Sequence, residues 1–159
     1  MGDDGAELSD RFTLRDDRVI IDIPADERSF LGQVLVLLSE VDDQTDDPGH
    51  QRLNVPVYLD DSTANEEWWR LMGEELGQAR AHDREVYQRV VSGPGPSDLD
   101  PEDANSFLRV LNEGRLAFAA RLGLEVAEDH DSIPEAEKSA LDYLGWVLED
   151  LTVVLMSDL

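Results

Sequence analysis

Cysteine is absent from the 159 residues, and lysine occurs once, at Lys138. Without cysteine the chain has no disulfide, no thiol nucleophile, no thiolate zinc site and no ligand for an iron-sulfur cluster. Long apolar runs are missing too. The longest, Val34 to Leu38 and Leu151 to Met156, fall far short of the ~18 residues a spanning helix needs, so no membrane contact is expected. Positive charge is scarce as well: 13 Lys and Arg face 37 Asp and Glu, a formal net charge of −24. Nucleic-acid affinity comes mainly from Lys and Arg displacing counterions from phosphates, and the twelve arginines form no basic run. Direct nucleic-acid binding is therefore not expected. The opening residues Met1 to Gly5 are acidic where a leader peptide would be basic, so cytoplasmic residence is the expectation.

Catalytic patterns are equally thin. His50, His82 and His130 stand far apart without the HExxH spacing that puts two ligands on one helix face. No GxSxG, SxxK, phosphate-binding or dinucleotide glycine pattern occurs. The acids between Asp42 and Asp47 lack the alternating ligand spacing of a calcium loop and read as a solvated connection. No catalytic, cofactor-binding or metal residue is assigned, and the chain reads as a protein that is not an enzyme.

What is present is hydrophobic periodicity. Residues 1–10, polar and glycine-containing, read as a disordered tail before a single domain over residues 11–159. Phe12 to Leu14 and Val19 to Ile23 flank Arg15 to Arg18 as a β-hairpin. A first helix is predicted from Ala25 to Val41, and an apolar extended segment of Leu53, Val55, Val57, Tyr58 and Leu59 around Pro56. A second helix is predicted from Thr63 to Val91, with Trp68 or Trp69, Leu71, Met72 and Leu76 among its apolar positions and an exposed polar middle from Gln78 to Glu85. Gly73 and Gly77 within it predict a close backbone approach or a bend. Ser92 to Ser97 reads as a loop. Asp100-Pro101 opens a third helix to Leu122, with Gly123 as its left-handed stop. Ser132-Ile133-Pro134-Glu135 opens a fourth to Met156. The fold class that results is mainly α: a single compact domain of about four helices with a short N-terminal β-hairpin.

Two stretches carry a family resemblance. Leu111-Asn112-Glu113-Gly114-Arg115-Leu116 with Arg121-Leu122-Gly123, and Asp142-Tyr143-Leu144-Gly145-Trp146-Val147-Leu148-Glu149-Asp150-Leu151, resemble paired C-terminal signatures of an actinobacterial family of uncharacterised proteins. Tyr58-Leu59-Asp60-Asp61 and Glu67-Trp68-Trp69-Arg70 are similar to that family's middle segment. Some members are described as oxidative-stress transcriptional regulators, and the family is commonly encoded beside the ClpS protease adaptor. The resemblance implies a regulator that works with an RNA polymerase sigma factor. The paired cysteines reported to sense oxidants in some members have no counterpart here.

The signature residues have structural readings of their own. An antiparallel third and fourth helix would place Arg115 against Asp142 as an ion pair, and Arg121 near Glu135 and Glu137. Asn112 would bond Tyr143 or nearby backbone, Gly145 would admit the third helix closely, and Trp146 would bury beside it. Leu111, Leu116, Gly123 and Glu149 complete the signature. Trp68, Trp69 and Arg70 are the candidate partner surface. The favoured function is regulation through protein contacts, the partner being a sigma factor or RNA polymerase. The alternatives are an accessory factor of ClpS-type protein turnover and an uncharacterised enzyme.

Overall fold

A computed structural model of the chain describes residues 11–54, 60–123 and 133–157. The expected tail, most of the extended segment around Pro56, and His130 lie outside the described residues. Strands β1 (Phe12–Arg15) and β2 (Arg18–Ile21) form an antiparallel hairpin with Phe12 opposite Ile21. Its two-residue turn holds Asp16 and Asp17 at φ 52° and 68°, the left-handed pair whose twist suits a tight hairpin and which aspartate tolerates better than most residues. Alternation along the strands sends Phe12, Val19 and Ile21 into the core. A third strand, β3 (Ser97–Leu99), pairs antiparallel with β2 through Leu99 and Val19. It begins at the end of the stretch read as a loop. Three polar-leaning residues carry no periodic signal, and the pairing reaches across some eighty positions to Arg18, which bonds Asp98.

Helix α1 (Ala25–Asp43) buries Leu31, Val34, Leu38 and Val41, one stripe at helical spacing. The acidic connection after it is not merely solvated, because it leads into a short helix, α2 (Pro48–Leu53). Asp47 caps this helix by accepting from the Gly49 amide at 2.7 Å, and Pro48 takes the first helical position. Leu53 therefore ends a helix and does not begin an extended segment. Helix α3 (Ser62–Ser92) runs 31 residues. Helix α4 (Pro101–Arg121) starts as expected, Asp100 accepting from the Asp103 amide at 2.8 Å, and Gly123 closes it at φ 77°. Helix α5 (Glu135–Met156) starts after Pro134 without a side-chain cap bond; Ser132 lies outside the described residues.

Helix α4 is the central element and packs against all four other helices. Close approach to α1 is made possible by Gly114, where a Cβ would lie 2.5 Å from Val34 Cγ1. Gly49 does the same for α2, since a Cβ there would lie 2.9 Å from Val41 Cγ2 and 3.3 Å from Ala117 Cβ. At the centre, Tyr87 stacks on Phe107 with centroids 4.7 Å apart and donates its hydroxyl to the Leu31 carbonyl at 2.7 Å. The domain is thus mainly helical, with five helices and a small three-stranded sheet among the described residues. Among the described residues no helix is long and apolar enough to cross a membrane.

Candidate functional site

The signature aromatics of α5 meet two residues from the other end of the chain. Arg11, just before β1, grips Glu27 of α1 through Nε at 2.8 Å and Nη2 at 2.6 Å. Tyr143 donates its hydroxyl to the same carboxylate at 2.7 Å, and the Arg11 guanidinium lies 4.8 Å from the centre of the Trp146 ring. Arg11 holds the Glu27 carboxyl below its ordinary pKa, against the opposing effect of burial, with Tyr143 assisting. Burial and the Glu27 bond push the Tyr143 phenol well above its ordinary value. Phe30 meets Tyr143 edge-on at 5.3 Å. Glu27 thus accepts two bonds from Arg11 and one from Tyr143, and the cluster works as a clasp joining the sheet, α1 and α5. Asp150 lies near Arg11; burial raises its pKa, and its Oδ2 is buried without a hydrogen-bond partner.

Several expected pairings take different partners. Tyr143 bonds Glu27 and not Asn112, which is exposed. An Arg115–Asp142 pair is not among the ion pairs of the described residues; Arg115 lies over Gly145, where a Cβ would come 3.4 Å from its Nε. Gly145 thus admits a side chain of α4. Trp146 is half-buried on Arg11. Arg121 turns away from α5 to Asp47, at 2.7 Å, and to Glu40, at 3.1 Å. Leu111 is buried, Leu116 half-buried and Glu149 exposed.

The inner end of α3 is locked by charge. Asp83 has 7% exposure, against the expectation of an exposed polar middle, and Arg109 of α4 grips it through two bonds of 2.8 Å. Burial alone would raise the Asp83 pKa; the bonds from Arg109 and Ser106 outweigh it and leave the carboxyl below its ordinary value. Arg80 binds the Leu53 carbonyl at 2.9 Å and Asn54 at 3.1 Å, fastening α3 to the end of α2. Arg84 pairs with Asp42, and both arginines flank Glu113, whose pKa is raised because burial exceeds their pull. His50 meets the Val41 carbonyl at 3.0 Å through Nδ1, a structural contact. Among the described residues no group of three or more His, Asp or Glu could hold a metal ion.

Beyond that lock α3 is different in kind. From Ser62 to His82 no residue is buried; the buried positions are Asp83, Val86, Tyr87 and Val90. At about 1.5 Å per residue the unburied part is roughly 30 Å long. Trp68, Trp69, Leu71, Met72 and Leu76, apolar positions of the helix, do not join the hydrophobic core or its packed margin among the described residues. Leu71 is 64% exposed. Trp68 and Trp69 meet edge-on at 4.9 Å, and Arg70 pairs with Glu67 on the same helix. Gly73 and Gly77 do not mark a crossing helix: a Cβ at Gly77 would meet nothing within 4 Å, and one at Gly73 only Trp69.

The architecture defines an acidic, mainly helical domain with a clasped core and one long helix that has no fully buried residue from Ser62 to His82. The chain belongs to the family described as domain of unknown function DUF2017, whose model matches residues 9–155. No curated protein and no solved structure matches it.

Proposed function

We propose that the protein is a non-enzymatic regulator that acts by docking a protein partner, with a sigma factor or RNA polymerase as the partner class implied by the sequence resemblance. The observation that carries the reading is the outer part of α3, where, among the described residues, Trp68, Trp69, Met72 and Leu76 are half-buried outside the core and Leu71 is exposed. Such a surface is unfavourable in water unless something covers it. The clasp around Glu27 is consistent with the same reading, since its hydrogen bonds tie the chain before the sheet, α1 and α5 to one another. With a charge of −24, the partner has to be met through protein contacts and not through DNA.

The test is equilibrium binding of the purified protein to purified sigma factors and core RNA polymerase from the same cell. A stoichiometric complex that weakens as salt rises is expected. A complex with ClpS in place of any transcription component would move the protein to protein turnover. Tight, sequence-specific retention of duplex DNA at physiological salt would reject the docking reading.

A further inference from the structure

We propose that the outer part of α3 is a docking surface for a cationic amphipathic helix of a partner protein, one whose apolar stripe is flanked by lysine or arginine. The proposal rests on the docking reading above and specifies its site and partner chemistry.

Spacing along α3 aligns Trp68, Met72 and Leu76 on one side, at i, i+4 and i+8, and Trp69 falls beside them. These four are half-buried and outside the core, so the helix presents a continuous apolar stripe across two turns and more. Glu66 and Glu75 border that stripe, one on each side, while Glu67 and Glu74 lie on the opposite face of the helix. Between Ser62 and Ala79 four glutamates, Glu66, Glu67, Glu74 and Glu75, face one base, Arg70, which Glu67 already binds. The arrangement is the complement of a basic amphipathic helix: apolar centre against apolar centre, ammonium or guanidinium groups against the carboxylates at the rim.

Charge also discriminates between occupants. A second copy of this chain would bring the bordering Glu66 and Glu75 against their own copies in a molecule of charge −24. An anionic membrane or a nucleic acid meets the same repulsion. A cationic protein segment is attracted by the rim and buries the tryptophans, the residues that contribute most per contact in such interfaces.

The probe is a synthetic leucine–lysine amphipathic helical peptide, fluorescently labelled and titrated with the full chain. Its control is a peptide of identical composition, shuffled so that the leucines encircle the helix. The amphipathic peptide should bind more tightly than the shuffled one, and less tightly as salt rises. The double substitution Trp68→Ala/Trp69→Ala should weaken binding by about tenfold or more while leaving the melting temperature unchanged, because neither residue is in the core. Replacing Glu66, Glu67, Glu74 and Glu75 by glutamine should flatten the salt dependence. If the tryptophan variant fails to fold, Met72→Gln/Leu76→Gln carries the same expectation. Equal binding of the two peptides, or undiminished binding by the folded stripe variants, would overturn the proposal, as would a dimer that strengthens with salt and vanishes in the tryptophan variant. A transcription-factor complex that survives the stripe substitutions would reject this site and keep the docking reading. Loss of every protein complex in the parent chain would reject both.

Discussion

At the scale of single residues, the carboxylates divide into two populations with opposite pH behaviour. Glu27, Asp47 and Asp83 have depressed pKa values because Arg11, Arg121 and Arg109 respectively bond them, each against the opposing effect of burial. Their ionised forms stabilise the fold at neutral pH, and that stabilisation is lost as pH falls below about 4 and through their lowered folded values. Glu113 and Asp150 are raised by burial, more than their arginine neighbours can offset. Protonating them favours the folded state, so they add stability as pH falls from neutral toward about 4.5. Relief of repulsion among 37 acids acts in the same direction. The melting temperature should therefore rise from pH 7 to a maximum near pH 5 and then fall steeply below about pH 4. A steady decline from neutrality downward in a series of thermal melts would show that the buried, raised carboxylates do not govern the limb between neutral pH and about pH 5.

Helices reveal their packing through glycine. Gly114 is buried where α4 crosses α1, and an added methyl would strike Val34, a stiff β-branched side chain that is itself buried. Gly114→Ala should cost about 1–3 kcal/mol through overpacking. Gly77 is exposed within α3, and its Cβ position is open. Gly77→Ala should stabilise by up to about 1 kcal/mol, since alanine loses less backbone entropy in a helix interior. Chemical denaturation of the two variants reads both signs at once; equal effects would mean that the α1–α4 crossing is looser than its geometry. The contrast also explains the outer part of α3. Its glycines weaken a helix that buries no residue fully there, whereas Asp83 to Val90 is held by Arg109, Phe107 and the Leu31 carbonyl.

Across the whole molecule, a net charge of −24 sets up self-repulsion that opposes the compact state. The ion pairs among the described residues draw repeatedly on the same few arginines, Arg84 and Arg121 each taking two carboxylates. Even so, 13 bases cannot neutralise 37 acids. Salt screens that repulsion over a distance of about 10 Å at 0.1 M. Stability should rise as a neutral salt is added, and an unfolding midpoint that stays flat into the molar range would show that the surface charges already balance locally. The same field predicts that partner association slows with salt, the opposite trend to stability.

Local patterns were sufficient for the elements whose signals are short-range. The Asp-Asp hairpin turn, the apolar stripe of α1, the Asp100-Pro101 start and the Gly123 stop of α4 each depend on residues a few positions apart, and each is where the residue pattern places it. The same Asp-Pro start precedes α2, but Gly49 disguises it as a turn; only the space beneath Val41 and Ala117 explains that glycine. β3 owes its existence to β2, and Arg11, Glu27, Asp47 and Asp83 owe their roles to partners 16 to 116 positions away. Among a surplus of carboxylates, sequence had no means of choosing which ones arginine would take. Composition alone set the sign of the molecular field and removed thiol chemistry, because those follow from counts. Tertiary packing alone decided which end of the longest helix is buried, since a helical stripe announces that it can bury a face and only the neighbouring elements determine whether it does.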